Sequence, residues 1–158
     1  MSDRLRIRRA TLEDARAIGI LVRRGTRRDI LPDQSAAAGA YLMATMTARA
    51  ERARMREGYR YHVAEIGGRL AGVVATRDDS HVYRLFVSAR FRGRGIGRAL
   101  WRRTLADCRK RAGTRRFTLN ASAFALPVYR SLGFAVAGPA RAQGPAAVRT
   151  TPMVYRVR

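Results

Sequence analysis

A chain of 158 residues with 47% hydrophobic content can close one ordinary core and is too apolar to be a disordered basic tail. A single cysteine, Cys108, excludes an internal disulfide, and with only His62 and His81 beside it the chain offers little for a structural zinc site. The formal net charge of +22 is almost all arginine, Lys110 being the only lysine, and no Asp or Glu follows Cys108.

Such a field either attracts a polyanion or nucleic acid, or is a solvated surface of an arginine-favouring chain. The first residues, "MSDRLRIRRATLED", put charges where a signal peptide needs an apolar stretch, and no run reaches the length of a membrane span. The chain reads as a single soluble, cytoplasmic domain over residues 1–158, with no membrane partner and no metal.

The stretch 5 to 10, "LRIRRA", alternates like a short strand. Thr11 followed by Glu13 and Asp14 predicts a helix N-terminus, with the helix running from Leu12 to Arg24. Residues 34 to 57, rich in Ala, Met and Arg, predict further helix ending near Gly58. "YHVAEI" and "RLAGVVAT" flank Gly67-Gly68 and predict a hairpin with a two-residue turn. The next strand, "HVYRLFV", places His81, Tyr83, Leu85 and Val87 on one face and Val82, Arg84 and Phe86 on the other. Further on, Trp101, Leu105, Cys108 and Ala112 recur on one helical face. The segment 138 to 152, with Gly138-Pro139 and Gly144-Pro145, predicts a long irregular loop, and "MVYRV" a closing strand.

Between the strand at 81–87 and the helix around Trp101 lies "RFRGRGIGRALW". Glycines at a helix N-terminus let a bulky anion approach unpaired N–H groups and the positive end of the dipole, so the loop is built like a phosphate cradle. A Walker A loop requires Lys and then Ser or Thr, where Arg98-Ala99 stand. A dinucleotide fingerprint requires a wider last spacing and an acid near 115 to 118, and neither occurs. What remains is Arg92-x-x-Gly95-x-Gly97, which a turn needing positive φ would also produce. In the second half, "RFTLNASAFALPVYRSLGFAVAG" contains a strand ending at Asn120, a short helix from near Phe124 with Pro127 in its first turn, and Gly133 as its stop.

The combination of strand, Arg92-x-x-Gly95-x-Gly97, helix, strand to Asn120, then Ala125, Tyr129, Gly133 and Phe134 resembles the GNAT superfamily of acyl-CoA-dependent N-acyltransferases. The likeness covers nearly the whole chain. It implies an α/β fold of about seven strands and four helices: a mixed, mostly antiparallel, twisted sheet splayed between its fourth and fifth strands near Val87. It also implies acetyl-CoA as cosubstrate. The backbone of Arg92, Gly93, Arg94, Gly95, Ile96, Gly97 and Arg98 would then hold the pyrophosphate. Leu85, Phe86 and Val87 would pair with the pantetheine arm, and Asn120 would touch it from the neighbouring strand. Tyr129 matches the tyrosine that protonates the departing thiolate. Homodimers are common among similar proteins.

The implied chemistry is attack of a neutral amine on a thioester carbonyl. A backbone N–H at Val87 would stabilise the oxyanion, and a phenol with a pKa of about 10 can protonate a thiolate whose acid lies near 8.5. Some family members carry a catalytic Glu fourteen positions before the middle glycine of the motif, and that count reaches His81 here. His81 is either the base or a hydrogen-bonded, half-buried histidine; Glu65, Asp78, Asp79 and ordered water are the other routes for the proton.

Acceptor choice falls to residues 25 to 57 and 138 to 152, where Asp29, Asp33, Glu51 and Glu57 are the expected attractors of a cationic amine. The basic C-terminal third suits an anionic substrate instead, and a small-molecule acceptor is favoured over a protein N-terminus. Two rival classes are a non-catalytic acyl-CoA sensor and a basic nucleic-acid-binding module; nonspecific polyanion binding is compatible with catalysis.

Overall fold

The structure, a computed structural model, describes residues 4 to 158. Among these residues the chain runs β1 (Leu5–Arg9), α1 (Ala15–Asp29), α2 (Ala36–Ala44), α3 (Ala48–Arg56), β2 (Arg60–Ile66), β3 (Arg69–Arg77) and β4 (His81–Val87). It continues through α4 (Ile96–Ala112), β5 (Arg116–Ala121), α5 (Leu126–Ser131), β6 (Ala135–Val136), β7 (Arg141–Gln143) and β8 (Val148–Arg156). The strands lie in the order β1-β2-β3-β4-β5-β8-β6, with β7 beside the first part of β8. All pairings are antiparallel except β4 with β5. No helix among the described residues is long and apolar enough to cross a membrane.

Local sequence accounts for the element boundaries. Thr11 leads a single 3-10 turn before α1, and its N–H donates to the Asp14 carboxylate at 2.7 Å. Asp14 also grips the Arg8 guanidinium, which holds its carboxyl below the usual carboxylate range. Ser35 and Thr47 accept from Ala38 and Ala50 N–H groups, so the helical stretch expected over 34–57 is two capped helices. The helix expected to stop at Arg24 continues to Asp29. Gly25 is a packing residue there: a Cβ on it would lie 2.8 Å from Phe86 Cδ1.

Two clusters fill the two faces of the sheet. On one, α4 presents Ile96, Leu100, Trp101 and Cys108 to Ala64, Ile66, Val74, Val82, Phe117, Leu119 and Met153. Trp101 meets Phe117 edge-on at 5.2 Å, and Ala112, expected on the same buried face, is exposed. On the other face Ile18 and Val22 of α1 pack on Val63, Val73 and Ala75, with Phe86 and Tyr83 alongside.

Three expectations need correction. The alternation predicted for 81–87 breaks at Tyr83, the extra residue of a β-bulge: Ala75 pairs with Arg84 and Thr76 with Val82. Val82 therefore packs on the same side as Leu85 and Val87, while Arg84 and Phe86 turn to the other. The segment 138 to 152 is not an irregular loop but contains the β7–β8 hairpin, in which β8 begins at Val148. Glu51, expected to attract substrate, is fully buried in α3. Its carboxylate accepts from Arg84 of β4 and from Tyr61 Oη of β2, and lies 3.0 Å from Arg54.

That carboxylate joins α3 to two strands in an apolar interior, where a buried charge left alone is costly. Burial first, and the neighbouring Glu51 charge second, push the Tyr61 phenol above its ordinary range. Glu51→Gln leaves Arg84 uncompensated and is expected to lower unfolding free energy by about 3 kcal/mol, read from the midpoint of urea denaturation at unchanged slope.

Candidate active site

Strand β4 is fully paired with β3, yet it shares only one register pair with β5, His81 with Thr118. Beyond it the two strands diverge. Ser88 N–H donates to Ala71 O at 2.8 Å, so by the alternation of an antiparallel ladder Phe86 N–H also faces β3. The N–H groups of Leu85 and Val87 then point into the opening. A parallel neighbour would normally take them, but β5 keeps only the one pair with β4, while its other edge pairs along its length with β8, Arg116 with Arg156 through Ala121 with Thr151.

A cavity of about 830 Å³ occupies this opening, and Leu85, Phe86, Val87 and Asn120 all line it. At one end stands the glycine loop. Gly93 and Gly95 have φ of +79° and +73°, and a Cβ on either would meet no heavy atom within 4 Å, so the glycines are required by backbone conformation and not by crowding. Gly95 is the N-cap of the 17-residue α4, and the first-turn N–H groups of that helix are the donors that a phosphate cradle needs. Gly97 differs: its φ is not positive, and a Cβ there would make an ordinary 3.6 Å contact with Val87 Cγ2.

The structure brings most of the expected residues to this cavity. Gly93, Gly95, Ile96, Gly97 and Arg98 line it, and Arg94 lies beside it with its guanidinium 5.4 Å from the Phe91 ring. Arg98 donates to Ser131 O at 3.2 Å and so ties α4 to the end of α5. Arg92 also lines the cavity; its guanidinium pairs with Asp29 at the end of α1 and lies 5.3 Å from the Phe124 ring, joining two parts of the cavity wall.

Tyr129 sits one turn into α5 with its N–H bonded to Ala125 O, and only 8% of the residue is exposed. Burial alone drives its phenol well above the ordinary value, so the group holds its proton at neutral pH.

His81 also lines the cavity, at the last point where β4 and β5 touch, with Nδ1 2.8 Å from Thr118 Oγ1. Burial and then Arg77 lower its pKa, with Asp78 opposing, so the imidazole is neutral at neutral pH. Glu65, Asp78 and Asp79 are absent from the lining. Glu65 is bound to Arg8, and Asp79 to Arg111.

A family model described as an acetyltransferase (GNAT) domain matches residues 30–157. The chain belongs to the GNAT acetyltransferase family. Among solved structures it is similar in fold to a GCN5-related N-acetyltransferase from Rhodopseudomonas palustris, with a TM-score of 0.83 at 19% identity, covering 99% of this chain and 98% of the other. It is similar also to the PaiA N-acetyltransferase of Thermoplasma acidophilum, solved with coenzyme A: TM-score 0.77, 14% identity, 97% and 99% coverage. A third is YncA, a putative acetyltransferase of Salmonella typhimurium solved with acetyl-CoA: TM-score 0.67, 22% identity, 98% and 95% coverage. Comparison with curated protein sequences gives no match.

Proposed function

We propose that this protein transfers an acetyl group from acetyl-CoA to the nitrogen of a primary amine, with a small molecule as acceptor. The observation that carries the reading is the pair of unpaired amides on Leu85 and Val87, placed between the α4 N-terminus and Tyr129. That arrangement suits a long, extended ligand with an anionic head: pyrophosphate at the glycine loop, pantetheine against β4, acyl group beyond Val87. The family and the coenzyme A complexes of two structural neighbours support the same ligand.

The residues divide the work as follows. The glycine-loop amides and the α4 dipole hold the phosphates. The amide of Val87 donates to the carbonyl oxygen as the amine adds and negative charge develops there, a contribution of about 3 kcal/mol for one well-placed donor. Tyr129 gives its proton to sulfur as the carbon–sulfur bond breaks, and regains one from solvent. His81, neutral and with Nδ1 held by Thr118, stands at the start of β4, six residues before Val87, and takes through a chain of water the proton that the amine loses. Arginines on the exposed face of α4, Arg102 and Arg109 among them, add a salt-sensitive attraction for polyanions that is separate from this site.

Thermal unfolding tests the ligand: acetyl-CoA at about 100 times its Kd adds about 2.7 kcal/mol, against ATP and a short oligonucleotide as charge controls. A shift from the oligonucleotide alone assigns the arginines to nucleic acid and rejects the reading. Tyr129→Phe is expected to lose about a hundredfold in thiol release while the acetyl-CoA shift is retained. Unchanged turnover removes Tyr129 as the acid, and a protein that binds acetyl-CoA without turnover is a sensor. For His81 the sign is fixed by its lowered pKa: kcat/KM falls only at a pH below the ordinary histidine range, where the imidazole takes up a proton. His81→Gln is expected to abolish that acidic limb, and an unaltered limb assigns the proton to water.

A further inference from the structure

We infer that the acceptor is a primary amine on an apolar or aromatic body that carries no second positive charge. The inference rests on the acetyl-transfer reading above and names the substrate class of the same site.

The far half of the cavity is walled by α1, α2 and the β7–β8 hairpin, and its electrostatics are unusual for a site that must receive an amine. Among the described residues Asp29 is the one carboxylate in the lining, and both Arg28 and Arg92 are bonded to it. Asp33 and Glu57, expected from sequence to attract a cation, are exposed and outside the lining. Glu51 lies behind the wall, fully buried and shared by Arg84, Arg54 and Tyr61. Among the described residues no carboxylate in or behind this half is left for a substrate ammonium.

Aromatic faces are the other way to hold a cation in a partly dry site. Here arginines already take Tyr83, Phe91 and Phe124. Tyr83 carries the guanidinium of Arg84 at 4.7 Å and of Arg54 at 5.0 Å from its ring centre. Phe124 carries Arg92, and Phe91 carries Arg90 and Arg94. What the acceptor half still offers is apolar surface from Leu42, Met46 and Val148, a half-exposed Tyr41 at the rim, and one unpaired buried hydroxyl, Thr150 Oγ1.

This balance suits an amine that enters uncharged. Neighbouring guanidinium groups lower the pKa of a bound ammonium and so favour the free base that attacks the thioester. A second ammonium in the same molecule meets the same repulsion and gains nothing from it, because it takes no part in the reaction. Polyamines and multiply charged aminosugars are therefore poor fits, and aromatic or branched aliphatic monoamines good ones.

The test compares hexylamine with hexamethylenediamine, equal in length and different in the second ammonium, by thiol release from acetyl-CoA at moderate salt. Hexylamine is expected to exceed the diamine by about tenfold or more in kcat/KM, since the second ammonium is brought against like charge. Equal or reversed preference overturns the inference and leaves acetyl transfer standing. Release from neither amine, with acetyl-CoA still stabilising the fold, overturns both. Tyr41→Glu places a carboxylate at the half-exposed rim, with folding checked by the same acetyl-CoA shift, and is expected to narrow the preference several-fold. An unchanged ratio means that charge is not what the cavity reads, and overturns the inference as well.

Discussion

The site exists because the sheet parts between β4 and β5. The residues of β5 from Arg116 to Ala121 are all matched by β8 on one edge, while on the other edge β5 keeps only the His81–Thr118 pair with β4. A sheet that parts this way leaves the N–H groups of half-buried Leu85 and Val87 without a strand acceptor on that side. An extended ligand laid against β4 supplies the acceptors that a neighbouring strand would. The same divergence explains why the protein needs α4 where it is. The cluster under α4 draws residues from both halves of the sheet, Val74 and Ile66 from one and Phe117 and Met153 from the other, whereas the cluster under α1 draws only on the first half. One helix thus spans the gap on one face and points its N-terminus at the ligand.

Arginine does two different jobs in this chain. On the surface it supplies a diffuse positive field. In and around the site it is structural: guanidinium groups lie against Tyr83, Phe91 and Phe124, and two of them, on Arg84 and Arg92, also bind Glu51 and Asp29. A lysine could carry the charge at these positions but could not offer a flat face to a ring and a forked donor to a carboxylate together. The near absence of lysine therefore bears on the geometry of the site as well as on its net charge.

Much of this was legible in the residues. The hairpin at Gly67-Gly68, the strand at 81–87, the glycine loop opening a helix and Gly133 ending another all depend on contacts within a few positions, and local sequence encodes those. The bulge at Tyr83 had no such signal, because an extra residue is registered only against the partner strand. The helix expected to end at Arg24 runs on through Gly25, and the Phe86 ring that fills the missing Cβ volume lies 61 positions away in sequence. Glu51 was expected to attract a cationic amine, and its partner Arg84 comes from a different element. The hairpin of β7 and β8 was hidden by glycines and prolines that mark its turns as readily as they would mark a loop. Local rules find elements and motifs; which acid is free and which is neutralised is settled by tertiary pairing.

Gln34, between α1 and α2, donates from Nε2 to Arg149 O at 2.8 Å and accepts at Oε1 from Arg149 N, also at 2.8 Å. Arg149 lies in the part of β8 that extends past the end of β5, where one side of the strand has no ladder partner. The amide of Gln34 repeats there the donor and acceptor that another strand would present. A projecting strand with free backbone groups is a template on which a second chain can add. A single side chain closes that template, so the stretch of β8 that walls the acceptor cavity is kept from recruiting a neighbour while staying open to a small molecule on its face.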